Sequence, residues 1–193
     1  MKRMLISVVF LSILLPTFIS GCINKSSNGS INRFESKDPL IVLYEIWETG
    51  AYVVAVFKDG TVAYVYDGIP IFNNGTRKLN SKEILFIFSL TNVVEPASLP
   101  DENRYLSDYE KLNDTSFEEL NNLIIASNFH SLNDSYPGNE TYDSDGSDVY
   151  ITLYNSNTKT VYVYDDGYHY HEDLSGYIEI KRYLESMIEN HWD

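Results

Sequence analysis

Two short stretches carry side chains whose types and spacing could do chemistry. Asp143-Ser144-Asp145-Gly146-Ser147-Asp148 places three carboxylates, Asp143, Asp145 and Asp148, in a glycine-containing loop, with Asn139 and Glu140 just upstream. Calcium takes six to eight oxygen ligands, and such a loop can supply several of them. The spacing departs from an EF-hand, because glycine falls at the fourth place from Asp143 and Tyr154, not glutamate, at the twelfth. In a chain with 28 acidic residues an ordinary acidic turn is the competing reading. His169-Tyr170-His171, followed by Glu172 and Asp173, would project both imidazoles to one side if extended, the beginning of a zinc or copper site. Only His130 and His191 remain elsewhere, so the further ligands have no signal, and an exposed turn before a helix is the plainer account. No G-x-S-x-G, H-E-x-x-H, G-x-x-x-x-G-K or G-x-G-x-x-G occurs, which argues for a binding protein over an enzyme. A triad assembled in space would leave no trace in spacing.

A third feature concerns contact and not catalysis. Val149, Ile151 and Leu153 alternate with Tyr150, Thr152 and Tyr154, and Val161 and Val163 alternate with Thr160, Tyr162 and Tyr164. Strand side chains have a period of two, so aliphatic residues share one face and tyrosines the other. Tyr150, Tyr154, Tyr162 and Tyr164, joined by Tyr64 and Tyr66, would then line a sheet face able to stack on sugar rings or pack on a partner protein. Cross-strand pairing that merely stabilises a half-exposed sheet is the alternative.

The elements that must position these residues follow from pattern. Leu40–Trp47, Tyr52–Phe57 and Thr61–Tyr66 read as three strands, the last two joined by the Lys58-Asp59-Gly60 hairpin signal. Asn80 with Glu83 has capping-box spacing and opens a helix with Ile84, Leu85, Ile87 and Phe88 on its apolar face. Tyr105, Leu106, Tyr109 and Leu112 are spaced for a short helix inside a long polar stretch. Thr115 with Glu118 marks the next helix, carrying Phe117, Leu120, Leu123 and Ile124. Two strands, Val149–Leu153 and Thr160–Tyr164, precede a last helix over Leu174–Asn190. This order predicts an α+β domain: a single antiparallel sheet of about five strands with about three helices on one face.

Composition narrows the partners. Fourteen basic residues face 28 acidic ones, a net charge of −14. Nucleic acid is a poor partner for such a surface, since phosphate binding needs clustered Lys and Arg. The lone cysteine, Cys22, leaves no disulfide framework, so the fold must rest on its core. Six N-x-S/T sequons, at Asn24, Asn28, Asn74, Asn113, Asn133 and Asn139, fall in predicted loops or the N-terminal tether, where glycans could sit.

Met1-Lys2-Arg3 is basic and Met4–Ile19 carries no charge. This is the build of a signal peptide, too short and too interrupted by Ser12, Pro16 and Thr17 for a comfortable membrane span. Ile19-Ser20-Gly21-Cys22 resembles the lipobox of prokaryotic lipoproteins, whose cysteine is alkylated by a diacylglycerol after cleavage just before it. The resemblance implies residues 1–21 as signal peptide, Cys22 lipidated, and a protein held to the cell membrane on its extracytoplasmic side. Loss of Lys2 and Arg3 would leave twelve basic residues against 28 acidic, a net charge of −16, so that attachment would be covalent and not electrostatic. Residues 22–37 read as a polar tether and 38–193 as one globular domain. Residues 40–190 are similar to small domains of prokaryotic lipoproteins and secreted proteins, on Lys58-Asp59-Gly60-Thr61, Phe129, Leu132, Tyr136 and the final helix. That likeness carries no activity. The function expected is a membrane-anchored binding module for a glycan or surface protein, without a required cofactor; calcium held by residues 139–148 is the alternative.

Overall fold

The structure, a computed structural model, describes residues 32–48, 50–67, 79–93, 105–106, 109–137, 146–165 and 172–189. Backbone contacts divide the chain between Ile31 and Asn32, and the second unit, Asn32–Asp193, carries every element described below. Leu40–Trp47 reads as a strand and lies within β1 (Pro39–Trp47), followed by β2 (Gly50–Phe57) and β3 (Thr61–Asp67). Gly60 closes the β2–β3 hairpin at φ 81°, a backbone region that costs glycine little, and its N–H donates to the Phe57 carbonyl at 2.9 Å. Then come α1 (Ser81–Ser89), the short strands β4 (Tyr105–Leu106) and β5 (Tyr109–Lys111), and α2 (Asp114–Ala126). The chain ends with β6 (Ser135–Tyr136), β7 (Ser147–Leu153), β8 (Lys159–Asp165) and α3 (Ser175–Glu189).

The strands form one sheet in the order β4-β3-β2-β1-β7-β8-β6, with β5 also paired to β3. The α+β class is as expected, but the sheet has eight strands among the described residues, and it is mixed, because β6 runs parallel to β8. The expected antiparallel sheet of about five strands is corrected accordingly. The three extra strands are two or three residues long, below the length at which alternation leaves a pattern. Two of them, β4 and β5, occupy the stretch whose tyrosine and leucine spacing predicts a helix; pairing with the β3 edge overrides that local preference.

Helices cover both faces of the sheet, not one. Ile41, Leu43, Val54, Val56, Val149, Ile151, Val161 and Val163 pack beneath Leu120 of α2 and Tyr177, Ile180 and Leu184 of α3. On the opposite face Val42, Tyr44, Val53, Ala55, Phe57, Ala63 and Val65 pack beneath Ile84, Ile87 and Phe88 of α1. A strand buried on both sides reads as a continuous apolar run. Ile41-Val42-Leu43-Tyr44 and Val53-Val54-Ala55-Val56-Phe57 are such runs, and all nine residues are buried. Phe34 joins the α1 side fully buried and stacks on Phe57 at 5.5 Å, so the packed structure reaches back into the segment read as tether.

Caps set the helix starts. Asn80 accepts from the N–H of Glu83 at 3.2 Å while Glu83 Oε2 accepts from the Asn80 N–H at 3.1 Å, the reciprocal pair expected from spacing. For α2 the cap is Asn113, which accepts from the Ser116 N–H at 2.9 Å, and not Thr115. The earlier start leaves Asp114 in the first turn, where the helix dipole favours a carboxylate. Near the start of α3, Gly176 lies against Ser127, so close that a Cβ there would sit 2.5 Å from the Ser127 Cα. Among the described residues no helix is long and apolar enough to cross a membrane.

Candidate functional site

The register of β1, β7 and β8 brings three tyrosines into line. Tyr44 lies opposite Tyr150, and Tyr150 opposite Tyr162. Their rings follow at 6.1 Å and 4.9 Å between centroids, and Phe88 of α1 closes the row edge-on to Tyr44 at 5.9 Å. Tyr44 is buried with the α1 residues, whereas Tyr150, at the margin of that cluster, and Tyr162 are half-buried. The ladder thus passes from core to solvent-accessible sheet along one line of cross-strand neighbours.

The hydroxyls around it already have work. Tyr162 donates to Asp148 Oδ1 at 2.7 Å. Burial, and then this carboxylate, push the Tyr162 phenol above the ordinary tyrosine range. Tyr154 donates to the Leu90 carbonyl at 2.5 Å and Thr152 to the Thr91 carbonyl at 3.1 Å. Both carbonyls lie just past the end of α1, where helical carbonyls lose their intrahelical donors. Tyr154 and Thr152 therefore cap α1 and fasten it to β7. Tyr164 is half-buried, and its ring lies on Gly146, where a Cβ would come within 2.6 Å of it.

Sequence alternation correctly puts Tyr150, Tyr154, Tyr162 and Tyr164 opposite the aliphatic residues. It misplaces Tyr64, which is buried in the core beneath α2 and α3, on the other face of the sheet. Tyr66 lies two residues further along the same strand, and its ring meets Trp47 at 6.0 Å. Strands β3 and β8 share a similar string of residues but not the same orientation, and the string alone carries no face. Of the carboxylates of the acidic loop only Asp148 lies among the described residues, in β7 and bonded to Tyr162. Asp143, Asp145, His169, His171 and Cys22 lie outside them.

A second cluster has no signature in the sequence. At the end of the sheet beneath α3, Lys181 Nζ lies 2.6 Å from Glu185, 3.2 Å from Asp165 and 3.4 Å from Glu45. Tyr52 donates to Glu45 Oε2 at 2.5 Å and approaches Glu185 Oε1 at 3.0 Å, while Ser147 donates to the other Glu45 oxygen at 2.6 Å. These residues come from β1, β2, β7, β8 and α3. Burial acts to lower the Lys181 pKa, but Glu45, Glu185 and Asp165 outweigh it and hold the ammonium charged, well above the usual lysine range. Tyr52 is raised too, by burial first and then by Glu45 and Glu185. Neither group can act as a base or nucleophile near neutral pH, because each holds its proton more firmly than in water. The cluster is a polar brace between the last helix and the sheet. An i,i+4 Lys181–Glu185 pair on α3 is the one part visible in sequence.

No family model matches this chain, and no curated protein matches its sequence at a significant level.

Proposed function

We propose that the chain is a lipid-anchored binding module of the extracytoplasmic surface, attached through Cys22 and reading its ligand with the open end of the tyrosine ladder. One observation supports the binding role: the Tyr150 and Tyr162 rings meet at 4.9 Å, tilted by 31°, in a half-buried row with Asp148 held beside it. Flat rings fixed by cross-strand stacking offer an apolar surface at low entropic cost. A carboxylate at the edge adds acceptors for hydroxyl donors. Rings plus an acceptor suit a sugar, whose apolar face stacks while its hydroxyls donate. The lipobox-like Ile19-Ser20-Gly21-Cys22 supports the anchor, which the acidic surface could not provide by charge.

A glycan array probed with the purified chain tests the binding role, followed by titration of the strongest hit against Tyr162→Ala and Asp148→Asn. Binding of a defined sugar, weakened by both substitutions, is the expected result. A hit indifferent to both removes the ladder from the reading, and retention of surface proteins with no sugar bound replaces the glycan by a protein partner. The anchor is tested separately by mass spectrometry of the N-terminal peptide. A diacylglyceryl group on Cys22, lost with membrane association in Cys22→Ser, is expected; an unmodified thiol overturns it.

A further inference from the structure

The register that builds the tyrosine ladder also builds a second row beside it. Ala51 lies opposite Ile46, Ile46 opposite Asp148, and Asp148 opposite Tyr164. Each of the last three is two residues from a ladder tyrosine on its own strand, so the rows share a face and stand about 7 Å apart. The ladder row is tall, and α1 ends on its far side, where Thr152 and Tyr154 take up the Thr91 and Leu90 carbonyls. The second row is low: Ala51, Ile46 and the short Asp148, all half-buried. A wall of rings beside a lower row makes a ledge that crosses the strands. Tyr164 lies at its β8 end, its ring on Gly146. With strands about 4.8 Å apart, the span from β2 to β8 is about 14 Å, more than one sugar ring covers. Polar groups are left over along it. Among the described residues the Tyr150 hydroxyl and the second Asp148 oxygen have no hydrogen-bond partner.

We infer that the ligand of the ladder is an uncharged, straight oligosaccharide with equatorial linkages, lying along this ledge across the strands; the inference rests on the sugar-binding reading above. Equatorial linkages give a ribbon-like chain with apolar faces, which match the rings of Tyr150 and Tyr162 and the floor at Ile46. Ribbon hydroxyls donate to Asp148 and exchange a hydrogen bond with the Tyr150 phenol. Neither row, among the described residues, carries a lysine or arginine. A uronate therefore meets no cation there and is repelled by Asp148.

The full chain is titrated with the disaccharide and tetrasaccharide of the cellulose and N-acetylated chitin series, with curved maltotetraose and an anionic mannuronate tetrasaccharide for comparison. In one of the two neutral straight series the tetrasaccharide should bind about tenfold tighter than the disaccharide, roughly the worth of one further apolar contact. Amide resonances of Ile46 and Ala51 should then shift together with those of Tyr150 and Tyr162. Ala51→Phe raises the floor at the β2 end and should weaken the tetrasaccharide more than the disaccharide. The resonances of the unaltered chain decide the question if that variant does not fold. Equal affinity at both lengths, equal binding of the curved or anionic chain, or shifts that stop at Tyr150 would overturn the ledge and leave the ladder as a sugar site. A glycan-array hit outside both straight series would do the same. No response to any of these sugars, with a blank array, would remove the ladder reading itself.

Discussion

Glu45 and Lys181 meet at 3.4 Å with only 11% of each side chain exposed, tying the first strand to the last helix by an ion pair largely hidden from water. Lys181 also faces Asp165 and Glu185, so its ammonium is the common partner of three carboxylates. Removing one member of a buried pair leaves a charge uncompensated, at a cost of about 3–5 kcal/mol. Lys181→Met should therefore lose about that much in urea unfolding. Glu45→Gln should lose less, because Lys181 keeps two of its three partners. Equal losses would mean that the pair acts alone and the other carboxylates contribute nothing.

Alkaline pH should loosen the same cluster. The fold raises the pKa of Tyr52 from 10.0 and of Lys181 from 10.5, so both groups bind their protons more tightly folded than unfolded. Their contribution is complete below those ordinary values and is lost as pH rises past about 10. Melting temperature should fall as pH rises above about 10, more steeply in the parent chain than in Tyr52→Phe, which has no phenol to ionise. At neutral pH that variant should lose about 1.5–3 kcal/mol, the worth of a hydrogen bond to a charged group. Identical pH slopes would remove Tyr52 from the account.

The α2–α3 contact depends on the missing side chain of Gly176. Alanine is the better helix former by about 1 kcal/mol. Its Cβ, however, would stand 2.5 Å from the Ser127 Cα and 3.1 Å from the Ser127 carbonyl oxygen, so backbone must move. Overpacking typically costs about 1–3 kcal/mol, and here it should win. Gly176→Ala should lower the melting temperature; a rise would show that the helices separate without penalty.

The centre of the tyrosine ladder should matter more than its outer member. Tyr150 meets the rings of both Tyr44 and Tyr162, whereas Tyr162 has one such neighbour on the ladder. Each aromatic pair is worth about 0.5–1.5 kcal/mol beyond burial. Tyr150→Leu should therefore cost about twice as much as Tyr162→Leu in thermal unfolding. Nitration mapped by mass spectrometry gives an independent reading: the half-buried Tyr150 and Tyr162 should modify ahead of the buried Tyr136 and Tyr177. Protection of Tyr150 and Tyr162 in the monomer would close the ladder to any ligand.

The strand alternation of Val149–Leu153 and Val161–Tyr164 was legible because a period of two forces residues onto opposite faces whatever packs there. Asn80 and Glu83 were legible for a similar reason, since a cap needs only residues within one turn. The unbroken apolar runs of β1 and β2 carried the sign of a sheet covered on both faces, yet they also suit strands with one exposed side and a few aliphatic residues on it. Tyr64 shows the limit. Its strand resembles β8 in composition, but the face it takes depends on register with β2, which pairs Val54 with Tyr64.

What the sequence by itself determined, then, is local: the main strands and helices, the hairpin at Gly60, the cap at Asn80, and the division of β7 and β8 into aliphatic and tyrosine faces. Each follows from backbone geometry and the chemistry of near neighbours. The tertiary structure alone decided that α1 covers one face and α2 and α3 the other, that Tyr154 and Thr152 take up the carbonyls beyond α1, and that Lys181 gathers Glu45 and Asp165. Those partners lie in different elements of the chain. Their meeting is set by which faces are left to bury once the sheet has formed, and no local pattern encodes that.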